Sequence, residues 1–188
     1  MSTAPGSITS YANGLRLGAP PEQCPAMSAI YETLIDLARS GTRSLRGVVE
    51  IRTGDLVHDA YLKLFARPTD KPWESRRHFF GSAARAMQQV VVDIVRRVEV
   101  ERRHSGRVAV TAVAMPEIFT RHSVLELGEA LAALEEVDPA AAEIVRLRYF
   151  AGIGMRETAE ILRLPQRSAE RKWNLARAWL LNRMKMEP

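Results

Sequence analysis

From residue 27 onward, apolar side chains recur at steps of three and four, and no stretch alternates at a step of two for a useful length. A period of 3.6 puts such residues on one face of a helix, whereas a half-buried strand needs a period of two. The pattern therefore predicts an all-α fold. A first helix is expected over 27–40, with Met27, Ile30, Tyr31, Leu34, Ile35 and Ala38 on its buried side and Gly41 as its stop. A second is expected from Asp55 to Ala66, ended by Pro68, and a third from about Ser75 to Arg103. Ser123 with Glu126 three residues on is a capping-box pattern ahead of the stripe Leu127, Ala130, Leu131 and Leu134. Asp138-Pro139 is another start signal, pairing a capping side chain with proline at the first helical position. That helix stops near Gly152; a short one follows over 155–164, and after Pro165 a last one over 166–184. The β-prone run Val108–Val113 lies where helical periodicity is missing.

These breaks divide the chain. Residues 1–25, rich in Gly and Pro, read as a mobile tail; 26–104 and 123–188 read as two helical units, and 105–122 as the linker between them. With 46% apolar and 26% charged residues the composition is that of an ordinary globular protein. A single cysteine, Cys24, excludes an intrachain disulfide and a multi-cysteine zinc site. No apolar run is long enough to span a bilayer, and the N-terminus does not read as a secretory signal. A soluble, cytoplasmic protein with no membrane partner is expected.

The net charge is +5 and the isoelectric point about 9.8, which suits a polyanionic partner. Its distribution is more informative. Residues 67–107 and 141–188 are each strongly basic, and the block between them, 108–140, is acidic. Such a chain would touch a polyanion at two separated places, although solvated helix faces would give the same totals.

The C-terminal pair of helices reads as a helix-turn-helix. In the last helix Ala169, Trp173, Ala176 and Leu180 share one side, leaving cationic and amide side chains around the rest. Long cations pair with phosphates, and arginine bonds two acceptors of guanine at once, so the helix suits a DNA major groove. Two features depart from the usual pattern: Arg163 stands where a turn glycine is common, and Gly154 where a capping side chain is. In the basic block nearer the N-terminus, Trp73, Arg76, Arg77, His78, Phe79 and Phe80 interleave aromatics with cations, followed by Arg85, Gln88, Gln89, Arg96 and Arg97. Cations along a backbone with aromatics for stacking suit single-stranded nucleic acid. Helical spacing marks Phe79 and Phe80 as core, which leaves Trp73 as the stacking candidate. His58 has no second His or Cys at ligand spacing, so no metal is expected. No nucleophile–base set or glycine-rich phosphate loop appears, so neither an enzyme nor a cofactor is expected.

Four segments, DLVHDAYLKLF, PWESRRHFFGSAARAMQQVVVDIVRR, VRLRYFAGIGMRETAEILRL and ERKWNLARAWL, stand in this order without large gaps. Together they resemble bacterial RNA polymerase sigma factors of the extracytoplasmic-function (ECF) group of the sigma-70 family. The resemblance implies that 26–104 is sigma region 2 and 123–188 region 4, with core RNA polymerase and promoter DNA as partners. It implies that Asp55, His58, Asp59, Leu62 and Lys63 contact polymerase. It assigns capture of the minus-ten element to the segment holding Trp73, Arg76, Arg77, Arg85, Gln88, Gln89 and Arg96. The minus-thirty-five element would be read by Gln166, Arg167, Ser168, Glu170, Arg171, Lys172 and Asn174. Members of this group are held inactive by an anti-sigma factor or, in some branches, are linked to a Ser/Thr kinase. Thr53, just before the expected second helix, is a phosphosite candidate because phosphate suits a helix N-terminus; Thr42 is a poorer one.

A stand-alone helix-turn-helix regulator is the alternative, and would bind a palindrome without polymerase. A structural or RNA-binding helical protein would show no sequence preference.

Overall fold

The computed structural model describes residues 9–10, 12–13, 27–44, 51–65, 71–105 and 121–185. Besides short helical pieces at 9–10 and 12–13, these form seven helices: α1 (Met27–Ser44), α2 (Thr53–Phe65), α3 (Arg76–Ser105), α4 (Arg121–Val137), α5 (Pro139–Tyr149), α6 (Met155–Leu162) and α7 (Gln166–Lys185). There is no strand among the described residues. The protein is all-α. The expected stop at Pro68, the β-prone run 108–113 and most of the expected linker lie outside the described residues.

α1, α2 and α3 pack on one another through the stripes that periodicity marks: Ile30, Leu34 and Ala38; Leu56, Val57 and Ala60; Phe79, Ala83, Met87 and Val90. Tyr61, Phe65, Trp73, Phe79 and Phe80 form a chain of ring contacts beneath them, with centroids 4.8–5.5 Å apart. In the C-terminal half α5 is the central rod. Ala141, Ala142, Ile144, Val145 and Leu147 are all buried, and α4, α6 and α7 each pack against it. The buried cluster is continuous from the N-terminal helices to the C-terminal ones, because α3 also packs on α4, α5 and α6.

Three local expectations are corrected. α1 does not stop at Gly41 but runs on to Ser44. A Cβ on Gly41 would lie 2.1 Å from the carbonyl oxygen of Phe150, so this glycine permits a close backbone approach and ends nothing. α2 begins at Thr53, two residues earlier than expected, as Leu56 N–H donates to the Arg52 carbonyl at 3.1 Å. Part of the expected tail is built into the fold. Ala12 is fully buried, and the Asn13 amide binds both backbone groups of Trp73, accepting from its N–H at 2.6 Å and donating to its carbonyl at 2.9 Å.

The start of α5 is as expected. Asp138 Oδ1 accepts from Ala141 N–H at 3.0 Å, with Pro139 in the first turn. The other carboxylate oxygen accepts from Lys172 Nζ of α7 at 2.5 Å. Between α6 and α7, Arg163 takes the left-handed conformation, φ 55° and ψ 41°, that a glycine would take more readily. Its N–H still closes the helix end by donating to the Glu160 carbonyl at 3.2 Å.

Asp138 thus caps one helix and holds another. Asp138→Ala is expected to destabilise the protein by about 1–2 kcal/mol. That corresponds to a fall of roughly 2–8 °C in melting temperature for a chain of this size, readable by circular dichroism.

Candidate nucleic-acid interface

α7 follows Pro165 directly, and its first N–H groups lie at an open helix end. Ala169, Ala176 and Leu180 are buried, and Trp173 packs half-buried against Tyr149 with ring centroids 5.3 Å apart. The guanidiniums of Arg148 and Arg177 lie 4.8 and 5.9 Å from the centre of the Trp173 ring. Burial raises the Tyr149 hydroxyl above its ordinary pKa, so this phenol stays neutral at physiological pH. With that side fixed, the opposite one is set by helical geometry. Gln166, Arg167, Arg171, Asn174 and Ala178 are exposed along it.

Of the seven residues expected on this face, Gln166, Arg167, Arg171 and Asn174 stand on it. Ser168 and Glu170 flank it, half-buried, and Glu170 accepts from Gln166 Nε2 at 2.8 Å. Lys172 is not on it. Its ammonium is turned toward α5 and spent on Asp138, because position 172 falls between the outer and the buried stripes. One residue of the face escapes the sequence pattern: Leu175, 64% exposed beside Arg171 and Asn174. Periodicity assigns apolar residues to the core, yet Leu175 does not fit the Ala169–Trp173–Ala176–Leu180 stripe, and that mismatch is the signal the sequence offers.

The second basic face runs along α3. Arg77 donates to the Glu143 carboxylate of α5 at 2.6 and 3.1 Å, and Arg76 to Glu157 of α6 at 3.0 Å. Arg85 pairs with Glu135 of α4. Gln88 is buried, its amide oxygen accepting from Arg146 Nε of α5 at 2.8 Å, while Arg146 Nη2 donates to Glu135 at 2.8 Å. Gln89 and Arg96 are exposed and line a groove of about 240 Å³ against Leu125, Gly128 and Glu129 of α4. Six residues of the expected set therefore share one side of α3, and that side is turned toward the C-terminal helices.

Trp73 is a correction. At 2% exposure it is core, edge-on to Phe65 and Phe79, with its indole N–H donating to Ser82 Oγ at 3.0 Å. It lies outside the α3 stripe because it precedes the helix, and the chain entering α3 folds it back beneath the rings. No base could stack on it in this structure.

The electrostatics follow from these pairs. The hydrogen bond from Arg85 holds the Glu135 carboxyl below its ordinary range, against burial and with help from Arg146. The hydrogen bond from Lys172 does the same for Asp138, aided by the Ala141 amide. Burial, with Arg85 nearby, lowers the Arg146 guanidinium from its very high ordinary value, while Glu135 opposes the shift.

On α2, Asp55, His58, Leu62 and Lys63 are exposed and Asp59 is half-buried. Lys63 pairs with Asp93 of α3 at 3.0 Å. A groove of about 390 Å³ runs beside them, with Asp55 and Asp59 on one wall and Ile94, Arg97 and Val98 on the other. Thr53 is half-exposed and is the first residue of the helix. Thr42, within α1, is bonded to the Arg39 carbonyl at 3.2 Å. Among the described residues no group of three or more His, Cys, Asp or Glu is placed to hold a metal, and no helix is long and apolar enough to cross a membrane.

The family model described as ECF sigma factor matches residues 7–186. Searches of curated proteins and of solved structures return no match.

Two outcomes follow from this geometry. Trp73→Ala is expected to cost about 3–5 kcal/mol of stability, as for other large core aromatics, measured by urea unfolding. Glu135 and Asp138 have depressed native pKa values, so each favours folding above the ordinary carboxylate range, 4.5 and 3.8. That contribution is lost as pH falls through their lower native values. The urea midpoint should hold from neutrality down to about pH 5 and then drop, and the drop should be shallower in Glu135→Gln.

Proposed function

Because the chain belongs to the ECF sigma-factor family, whose members direct transcription initiation at promoters, we propose how its two basic faces divide that work. α1–α3 act as sigma region 2 and α4–α7 as region 4. The outer side of α7 enters the major groove of the minus-thirty-five element. The side of α3 bearing Arg76, Arg77, Arg85, Gln88, Gln89 and Arg96 captures the unpaired minus-ten strand. The exposed side of α2, with Asp55, His58, Asp59, Leu62 and Lys63, docks on core RNA polymerase. The observation that carries this reading is the exposed row Arg167, Arg171 and Asn174, backed by a buried row that fixes the helix against α5.

The chemistry is recognition without covalent steps. Arg167 and Arg171 are suited to phosphates or to the paired acceptors of guanine, Asn174 to the paired groups of adenine, and Leu175 to a thymine methyl. Each module alone binds weakly. Mounted together on polymerase, they act as one bivalent ligand whose second contact is made at high effective concentration. Extruding a base from the duplex costs a few kcal/mol, and cations held on α3 offset it by pairing with the freed strand. Since Trp73 is core, the capture relies on cations and amides and not on that ring.

The test is reconstitution. The purified chain should bind bacterial core polymerase and start transcription at a bipartite, non-palindromic promoter; a stand-alone regulator would bind a palindrome without polymerase. Arg171→Ala should weaken binding by about 1–3 kcal/mol with relaxed preference at one base pair. Uniform weakening with a smaller salt slope would instead mark Arg171 as a phosphate contact.

A further inference from the structure

The side of α3 assigned to the unpaired strand is covered by the chain itself. Glu143, Glu157 and Glu135 come from three different helices, and each meets one of Arg77, Arg76 and Arg85. Carboxylates thus stand where phosphates of a single strand would stand, and the amide of Gln88 is buried against Arg146. We propose that this is a self-blocked state: the C-terminal helices act as an internal competitor of the minus-ten strand, and parting them from α1 and α3 is the step that arms the protein. The inference rests on the role proposed above for α3.

A second, uncharged contact fastens the same interface. The backbone of α1 at Ser40-Gly41 lies against the Phe150–Gly152 turn so closely that neither glycine has room for a side chain. A Cβ on Gly41 would sit 2.1 Å from the Phe150 oxygen, and one on Gly152, whose φ is +62°, would sit 2.3 Å from the Ser40 carbonyl carbon. Gly81 of α3 is similar in kind, since a Cβ there would meet Glu143 Oε1 at 2.9 Å. Glycine inside a helix is disfavoured relative to alanine, and at Gly41 the approach of Phe150 is what accounts for it.

The block is selective. Arg167, Arg171, Asn174 and Leu175 on α7 stay exposed, as do Asp55, His58 and Leu62 on α2. In the closed state the protein is competent to meet duplex DNA and polymerase, but not the opened strand. Ion pairs between largely exposed partners are weak and screened by salt, so the closed state is one that a docking partner can undo. A population in which only a minor fraction is open lowers the apparent affinity for single strands by that fraction.

Two variants of the full chain test the block. Gly41→Ala improves the helix propensity of α1 while forbidding its contact with Phe150. The double variant Glu143→Gln, Glu157→Gln removes two competitor charges at constant side-chain volume. Small-angle scattering reports the separation of the two halves. Fluorescence anisotropy reports binding of a short A/T-rich single strand and of a mixed-sequence duplex. Wild type should be compact; both variants should expand and bind the single strand about tenfold more tightly, with duplex binding unchanged. If Gly41→Ala fails to fold, the double variant decides. The proposal is overturned if wild type is already extended, or if the folded variants neither expand nor gain affinity. It is also overturned if they expand without gain although the holoenzyme opens promoters. A holoenzyme that opens no promoter marks failure of the region assignment itself, and the proposal falls with it.

Discussion

A helix of thirty residues has to satisfy its whole circumference, and α3 does so with two unlike sides. One is apolar and is taken up by α1 and α2, with Phe79, Met87, Val90 and Val91 at its centre. The other carries arginines and glutamines. Left to water they need no partner, yet here they find Glu135, Glu143, Glu157 and Arg146 on the C-terminal helices. The remaining architecture is organised by this choice. α5 supplies both Arg146 and Glu143 to the contact while serving as the core rod of its own half. The same hydrophobic cluster therefore runs through both halves, where sequence periodicity suggests two units.

The energetics favour a reversible association. Each exposed pair contributes about 0.2–1 kcal/mol at most. Arg146 is different. At 5% exposure, its guanidinium has left water, and its hydrogen bonds to Gln88 and Glu135 offset that cost only while the halves stay together. Separation would return it to solvent, which is not a penalty for a guanidinium. The interface is thus held by shape and by several small electrostatic terms, and not by a single deep contact.

Much of the helical layout is legible in the chain, because the 3.6-residue stripes and the Asp138-Pro139 signal are local physics. What escapes is what depends on distant partners. Gly41 reads as a helix stop in isolation; it is interior because a turn over a hundred residues later presses against it. Trp73 reads as an exposed aromatic because it lies off the stripe, yet the rings of Phe65 and Phe79 and the amide of Asn13 enclose it. Asn13 itself sits in a segment whose Gly and Pro content signals a tail. For the candidate interface, Arg167, Arg171 and Asn174 are recoverable from their opposition to the buried row. Lys172 is not, since only the fold brings Asp138 within reach.

That last pairing ties together two angles. The oxygen that caps α5 and the oxygen that grips Lys172 belong to one rigid carboxylate, so the direction in which α5 sets off and the roll of α7 about its own axis are geared to each other. A helix lying in a groove shows different side chains to the base edges if it is rolled by a fraction of a turn. The register in which this protein meets DNA is therefore indexed by a residue nearly thirty positions upstream of the helix that does the reading.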